Sequence, residues 1–260
     1  MLKGLYAAYT GMINQQNRLD VLTNNLANIN TNGYKKEGAT SQSFNAMYAH
    51  KINDKSMNGR LTQYLGINNP GVKIGEGYTD FSQGPIKATA NTYDLALTDK
   101  GFFAIEYTNK SGDTSIKYTR DGNFTLNQNG ELVTRDGDYV LNINNQRITV
   151  NPAIFDTVIN INGEIYQNNV LVDRIQVTDF ENYNYLKHFG ENLYETVPGA
   201  VEMAAAAGVY AGHLETSNVS VVSEMVNMIT VQRAYDANQK VITTLDGSLD
   251  IAVNQLGRLG

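Results

Sequence analysis

Apolar side chains recur at steps of three and four at both extreme ends of the chain, and no proline interrupts either run. At the N-terminus Leu2, Leu5, Tyr9, Met12, Gln16, Leu19, Thr23 and Leu26 keep this spacing. At the C-terminus Met228, Val231, Tyr235, Asn238, Ile242, Leu245, Leu249, Ala252, Leu256 and Leu259 do so. Such steps place side chains on one helical face, in the a/d pattern of a seam between helices. The prolines are Pro70, Pro85, Pro152 and Pro198, so both ends are free of the residue that breaks helix interiors. The first helix is expected to end near Asn30 to Asn32, where Gly33 supplies a left-handed cap. The last is expected to start between Ser217 and Ser223, with Ser217, Asn218 or Ser220 as its cap. Asn238 is the polar residue of the second seam, a device that fixes register. The plain alternative is that each helix packs on its own globular core. Isolated helices are marginal in water, so the ends are expected to be poorly ordered in the free monomer and to fold on assembly.

The middle has a different texture. From Pro70 to Gly212 it is rich in Gly, Asn, Thr and alternating apolar residues, and it carries a short repeat. Tyr118-Thr-Arg-Asp-Gly-Asn-Phe-Thr-Leu-Asn127 recurs as Val133-Thr-Arg-Asp-Gly-Asp-Tyr-Val-Leu-Asn142. Each copy sets Asp-Gly between strand formers, a signal for a hairpin or tight turn. Asn129-Gly130 and Asn162-Gly163 add two turns. The pattern predicts an α+β fold: N- and C-terminal helices pairing as a coiled-coil bundle, with an inserted antiparallel all-β domain. The expected divisions are a helix over 1–35, an extended linker over 36–69, a β-rich domain over 70–214 and a closing helix over 215–260.

Chemistry is sparse. With 20 Lys and Arg against 26 Asp and Glu, the net charge is −6, and the basic surplus expected of a nucleic-acid binder is missing. There is no cysteine, and the three histidines, His50, His188 and His213, have no metal-binding spacing. Asp94, Asp99, Asp113, Asp121, Asp136 and Asp138 stand mostly beside glycine, where Asp serves turns. No nucleophile elbow or phosphate loop is present. No catalytic residue, metal or cofactor is expected, and neither is membrane insertion, because no apolar run reaches spanning length. The N-terminus lacks the features of a cleaved signal peptide. The residues alone leave two readings, a self-assembling structural subunit and a soluble β-rich binding module.

Asn24-Asn-Leu-Ala-Asn-Ile-Asn-Thr-Asn-Gly-Tyr-Lys-Lys36 resembles the N-terminal signature of the bacterial flagellar rod and hook axial proteins. Within it, Asn24, Asn25, Leu26, Ala27, Asn28, Asn30, Thr31, Gly33, Tyr34 and Lys35 match the family pattern. Ser217-Asn-Val-Ser-Val-Val-Ser-Glu-Met-Val-Asn-Met-Ile-Thr-Val-Gln-Arg-Ala-Tyr235 resembles its closing helix. Gln83 to Asn91, Asp94 to Leu97, Gly101 to Phe103 and Tyr118 to Phe124 are similar to its middle. The resemblance implies a non-enzymatic subunit whose termini form the coiled-coil inner layer of a hollow filament. It implies export through the flagellar type III apparatus, and as partners further copies of the chain and other rod and hook subunits. Length and the text Val72-Lys-Ile-Gly-Glu-Gly77 point within the family to the distal rod, with the proximal rod and the hook as alternatives. Met225, Met228, Ile229, Val231, Gln232, Arg233, Tyr235, Ile242, Leu245, Leu249 and Leu256 are then expected to carry assembly contacts. On the N-terminal helix Leu2, Leu5, Tyr9, Met12, Leu19 and Leu26 are expected to do the same.

Overall fold

The computed structural model describes residues 2–51, 63–154, 156–190 and 192–256. The chain mixes α and β, with a helix near each end and a β-rich middle, and it divides into two compact units. A helical unit takes Met1–Ala27, Glu37–Asp80 and Ser220–Gly260; a β-rich unit takes Asn28–Lys36 and Phe81–Val219. These boundaries differ from the expected ones. The segment 28–36, read as the end of a helix, is built into the β-rich unit, and residues 70–80 belong with the helices.

The helical unit holds α1 (Leu2–Ala27) and α2 (Val221–Ile251). They run antiparallel against each other. A Cβ placed on Gly4 would lie 3.7 Å from Leu245 Cδ1, and one on Gly11 would lie 3.0 Å from Asn238 Nδ2. α1 stops three residues before the expected end. Its chain turns at Asn28, whose carbonyl accepts from Thr31 N. α2 begins after Ser220, which is extended as a cap residue should be but makes no side-chain cap bond; Glu224 N donates to the Ser220 carbonyl instead.

The expected linker is a nested ribbon. β1 (Glu37–Ser43) pairs antiparallel with β4 (Val72–Thr79), and β2 (Met47–Lys51) with β3 (Gln63–Asn68). The polar text hid the strands because a two-stranded ribbon has no buried face to demand alternation. Such a ribbon is marginal alone, and α1 supports it through contacts given below.

The β-rich unit contains β5 (Ile86–Ala88), β6 (Leu95–Leu97), β7 (Phe102–Thr108), β8 (Thr114–Thr119), β9 (Phe124–Leu126), β10 (Leu132–Thr134), β11 (Tyr139–Val140), β12 (Thr157–Ile159), β13 (Glu164–Gln167), β14 (Val170–Arg174), β15 (Val177–Phe180), β16 (Leu186–Phe189), β17 (Leu193–Thr196), β18 (Glu202–Ala204), β19 (Val209–Ala211) and β20 (His213–Glu215). Its main sheet runs β16-β17-β8-β7-β11-β10-β9, with β15 joining β7 and β18. β12-β13-β14 form a meander, and β6 with β19 and β5 with β20 form pairs. The pairings are antiparallel, as the turn spacing predicts.

β7 is buried on both faces. Phe103 and Ile105 enter one core with Leu97, Phe124, Ile148 and Ile165. Phe102 and Ala104 enter a second with Tyr118, Phe180 and Tyr194. Side chains alternate across a strand, so Phe-Phe-Ala-Ile reads as a continuous apolar run because both sides are covered. The two repeat copies take different shapes. In the second, Thr134 N donates to the Asp138 carbonyl and Val133 faces Tyr139 across a hairpin. In the first, β8 and β9 do not pair; the Gly122 carbonyl accepts from Leu95 N, making a corner.

Candidate functional site

The periodicity of α2 is visible in its burial. Val231 is buried, and Met228, Tyr235, Asn238, Ile242, Leu245 and Leu249 are half-buried, while the residues between them are mostly exposed. On α1 the face turned to α2 is centred on Gly4, Ala8 and Gly11, one position before the expected stripe. Leu5, Met12, Leu19 and Leu26 are half-buried beside it, and Tyr9 is half-exposed. Glycine inside a helix costs about 0.5–1 kcal/mol relative to alanine. At Gly11 the lack of a side chain makes room for Asn238, whereas a Cβ on Gly4 would make only an ordinary contact with Leu245. The side chains of Leu2 and Leu256, and all of Leu259, lie outside the described residues.

A second apolar face stands bare. On α2 Val222, Met225, Val226 and Ile229 are between 50% and 73% exposed. On α1 Tyr6, Tyr9 and Ile13 are between 39% and 63% exposed. Their steps of three and four make each group one stripe. Gln232 and Arg233 follow the α2 stripe and are exposed as well. A monomer rarely shows apolar stripes of this kind without a partner for them.

α1 has a third, polar face. Asn14 and Asn25 are buried, and their separation of eleven residues is three helical turns. Asn14 Nδ2 donates to Ser41 Oγ at 2.9 Å, and Asn25 Nδ2 donates to the Glu37 carbonyl at 2.8 Å while Glu37 N donates back to Asn25 Oδ1 at 2.9 Å. The Asn25 amide thus completes β1 as a strand partner would. Of the other motif residues Asn24, Ala27 and Asn30 are exposed, and Asn28 Oδ1 accepts from the Thr31 hydroxyl.

Gly33, Tyr34 and Lys35 are buried inside the β-rich unit. Gly33 has φ +66°, as its place in the motif predicts, and a Cβ there would stand 2.4 Å from the Arg120 carbonyl carbon. Lys35 Nζ donates to Glu215 Oε1 at 2.5 Å and to the Ser82 carbonyl at 2.8 Å. Arg120 reaches Glu215 Oε2 at 3.2 Å, and Gly84 N donates to Glu215 Oε1 at 2.8 Å. All three charged side chains are at most 3% exposed. One carboxylate therefore answers two cations away from water. Asn218 adds to the cluster: its Oδ1 accepts from Lys36 N and its Nδ2 donates to Ser82. Glu215 and Arg120 were not singled out from the sequence. The one available signal was that Arg120 occupies the repeated Thr-Arg-Asp-Gly and Lys35 the N-terminal motif.

Asp99 and Asp121 accept from nearby backbone N–H groups, as turn aspartates do. Asp121 Oδ1 accepts from Asn123 N at 3.0 Å, and burial pushes its carboxyl up to about 6, with Asp136 and Asp94 adding and Asn123 N–H and Arg135 opposing. Among the described residues no group of three or more His, Asp or Glu side chains is placed to hold a metal ion. No described helix is long and apolar enough to cross a membrane.

Three family profiles match in order along the chain. The flagella basal body rod protein profile covers residues 5–35, the flagellar hook protein FlgE/F/G D1 domain covers 96–167, and the flagellar basal body rod FlgEFG protein C-terminal profile covers 210–256. The chain is 35% identical to the flagellar basal-body rod protein FlgG of Buchnera aphidicola from Acyrthosiphon pisum, over 96% of this chain and 98% of that one. It is 35% identical to the flagellar hook-basal body complex protein FlhO of Bacillus subtilis over the full length of both. It is 31% identical to the flagellar basal-body rod protein FlgF of Caulobacter vibrioides, over 100% and 99%.

Proposed function

The chain belongs to the flagellar basal-body rod family, and on that premise we propose that it is a structural subunit of the distal rod. In this reading it self-assembles into a hollow helical filament that transmits torque through the cell envelope. The observation that carries the reading is the bare apolar face on both helices, Tyr6, Tyr9 and Ile13 on α1 and Val222, Met225, Val226 and Ile229 on α2. Further copies of the chain cover these stripes, and the helices of successive copies pack as coiled coils in an inner layer. Met225 and Met228 suit such contacts because an unbranched thioether adapts to inequivalent neighbours. Leu5, Met12, Leu19, Leu26, Val231, Tyr235, Ile242, Leu245 and Leu249 hold the two helices of one copy together, and Gln232 and Arg233 make polar contacts between copies. The β-rich unit forms the outer layer. Other rod and hook subunits abut the ends of the filament, and the subunit reaches it through the type III exporter without losing a signal peptide. The text from Val72 to Gly77 supports the distal position. The half-buried polar seam residue Asn238, opposite Gly11, supports a fixed register between the helices.

The test compares two variants. Ile229→Asp changes a residue that is exposed in the single chain, so the monomer behaves as the parent's does while filament formation is lost. Leu245→Asp buries a carboxylate against α1 and loses both helix pairing and assembly, with the β-rich unit intact. Normal polymerisation and motility of the Ile229→Asp variant would contradict the reading.

A further inference from the structure

The β-rich unit is made of two stretches, 28–36 and 81–219, so the chain crosses its boundary four times. The crossings follow Ala27, Lys36, Asp80 and Val219. Each has a residue in the buried cluster around Glu215. Gly33 N donates to the Glu215 carbonyl at 2.8 Å on the stretch that enters first. Lys35 and Lys36, at the second crossing, bind Glu215 and Asn218. Ser82 and Gly84, at the third, accept from Lys35 and donate to Glu215. Asn218, at the fourth, donates through its backbone to the Tyr34 carbonyl at 3.4 Å and through its side chain to Ser82. Arg120, from the end of β8, ties this cluster to the main sheet.

We infer that the Glu215 cluster is the force-transmitting joint of the β-rich unit, the point at which force carried along the four chain crossings passes into that unit. The inference rests on the rod reading for its use but not for its test. Segments that leave a unit separately can each be peeled away in turn, whereas segments bonded to one another share a load. The bonds of Lys35, Arg120 and Gly84 N to the Glu215 carboxylate are charge-assisted, and such bonds are about twice as strong as neutral ones. These three are also buried, so water cannot compete for them while the joint is closed. The backbones also approach closely: a Cβ on Gly84 would collide with the Thr216 carbonyl. The cluster has no catalytic or metal chemistry to account for three buried charges, and replacing buried ions by apolar residues is often neutral or stabilising. A mechanical role gives these charges a use that thermodynamic stability alone does not.

The absence of cysteine makes the test clean. Pulling handles on the full chain are attached through Asn30→Cys and Ser220→Cys, which load the cluster. A second pair, Lys110→Cys and Lys187→Cys, loads the sheet away from it; Asn30, Ser220, Lys110 and Lys187 are all exposed. Glu215→Gln is then read in both geometries. The joint predicts that the spontaneous rupture rate rises on the order of a hundredfold in the first geometry and stays near the parent's in the second. Equal rates in parent and variant, or the same rise in both geometries, would overturn it. Should Glu215→Gln not fold, Lys35→Met, which leaves Arg120 on the carboxylate, is read in the same way. Because the readout uses the isolated chain, a weak joint in a chain that still builds rods defeats this inference alone. A strong joint in a chain absent from rods defeats the rod reading alone.

Discussion

Lys35 and Glu215 are 180 residues apart in sequence and meet at 2.5 Å inside the β-rich unit, each side chain 1% exposed. The pair is asymmetric because Arg120 shares the carboxylate. Glu215→Gln removes the carboxylate that two buried cations share and is expected to cost about 3–5 kcal/mol. Lys35→Met leaves the carboxylate paired with Arg120 and costs less, and in the Glu215→Gln background it costs less again. Urea unfolding of the three variants checks the order; a larger loss from Lys35→Met than from Glu215→Gln contradicts it.

Gly33 is the second constraint at this place. Alanine at φ +66° is strained by about 1–3 kcal/mol, and its Cβ would have to displace the Arg120 backbone. Gly137, in the hairpin of the second repeat, has φ +96° with open space around it. Gly137→Ala therefore costs only the strain, and Gly33→Ala costs distinctly more. Thermal unfolding of the two variants decides this, and equal melting temperatures would refute it.

Asp121 links stability to pH. Its folded carboxyl titrates near 6, above the ordinary value of 3.8, so the folded state binds more protons than the unfolded one between these values. The stability this group adds is fully present below about pH 4 and is lost as pH rises through 6. Asp121→Asn keeps the acceptor for Asn123 N and removes the charge. It should stabilise the chain at pH 7.5 by on the order of 2 kcal/mol, allowing for partial exposure, and give no gain at pH 4. A constant difference between the variants from pH 4 to 7.5 would contradict this.

The helices and the β-rich unit should exchange hydrogens at different rates in the free chain. Phe102, Phe103, Ala104 and Ile105 are sealed between two cores. The helices bury one seam and leave stripes such as Val222 to Ile229 in water. Amides of α1 and α2 are expected to exchange near the rate of local opening and those of β7 near that of global unfolding. Equal protection would count against folding on assembly.

What could be read from the sequence follows a physical division. The α2 seam was legible because one partner helix sets one period, and Met228 to Leu249 repeat it. The α1 seam was read one residue late because three different surfaces lie on that helix. The larger side chains of Leu5, Tyr9 and Met12 drew the stripe away from Gly4 and Gly11, which face Leu245 and Asn238, and from the buried Ala8. Asn25 was legible only as a member of the family motif, and Asn14 was not singled out, because their partners are backbone and hydroxyl groups of a ribbon with little apolar text. Glu215 had no local signal at all, since its meaning lies in Lys35 and Arg120, brought together only by the fold. The second Thr-Arg-Asp-Gly copy read correctly as a hairpin; the first has the same letters but closes against Leu95.

The central claim is that this chain is a subunit of the rod. Hook–basal bodies purified from the cells that make it, and labelled for this chain along their length, test that claim most directly. The account predicts label between the membrane ring and the hook, at the height of the distal rod. Particles without label, with the chain recovered only as a soluble species, would contradict it.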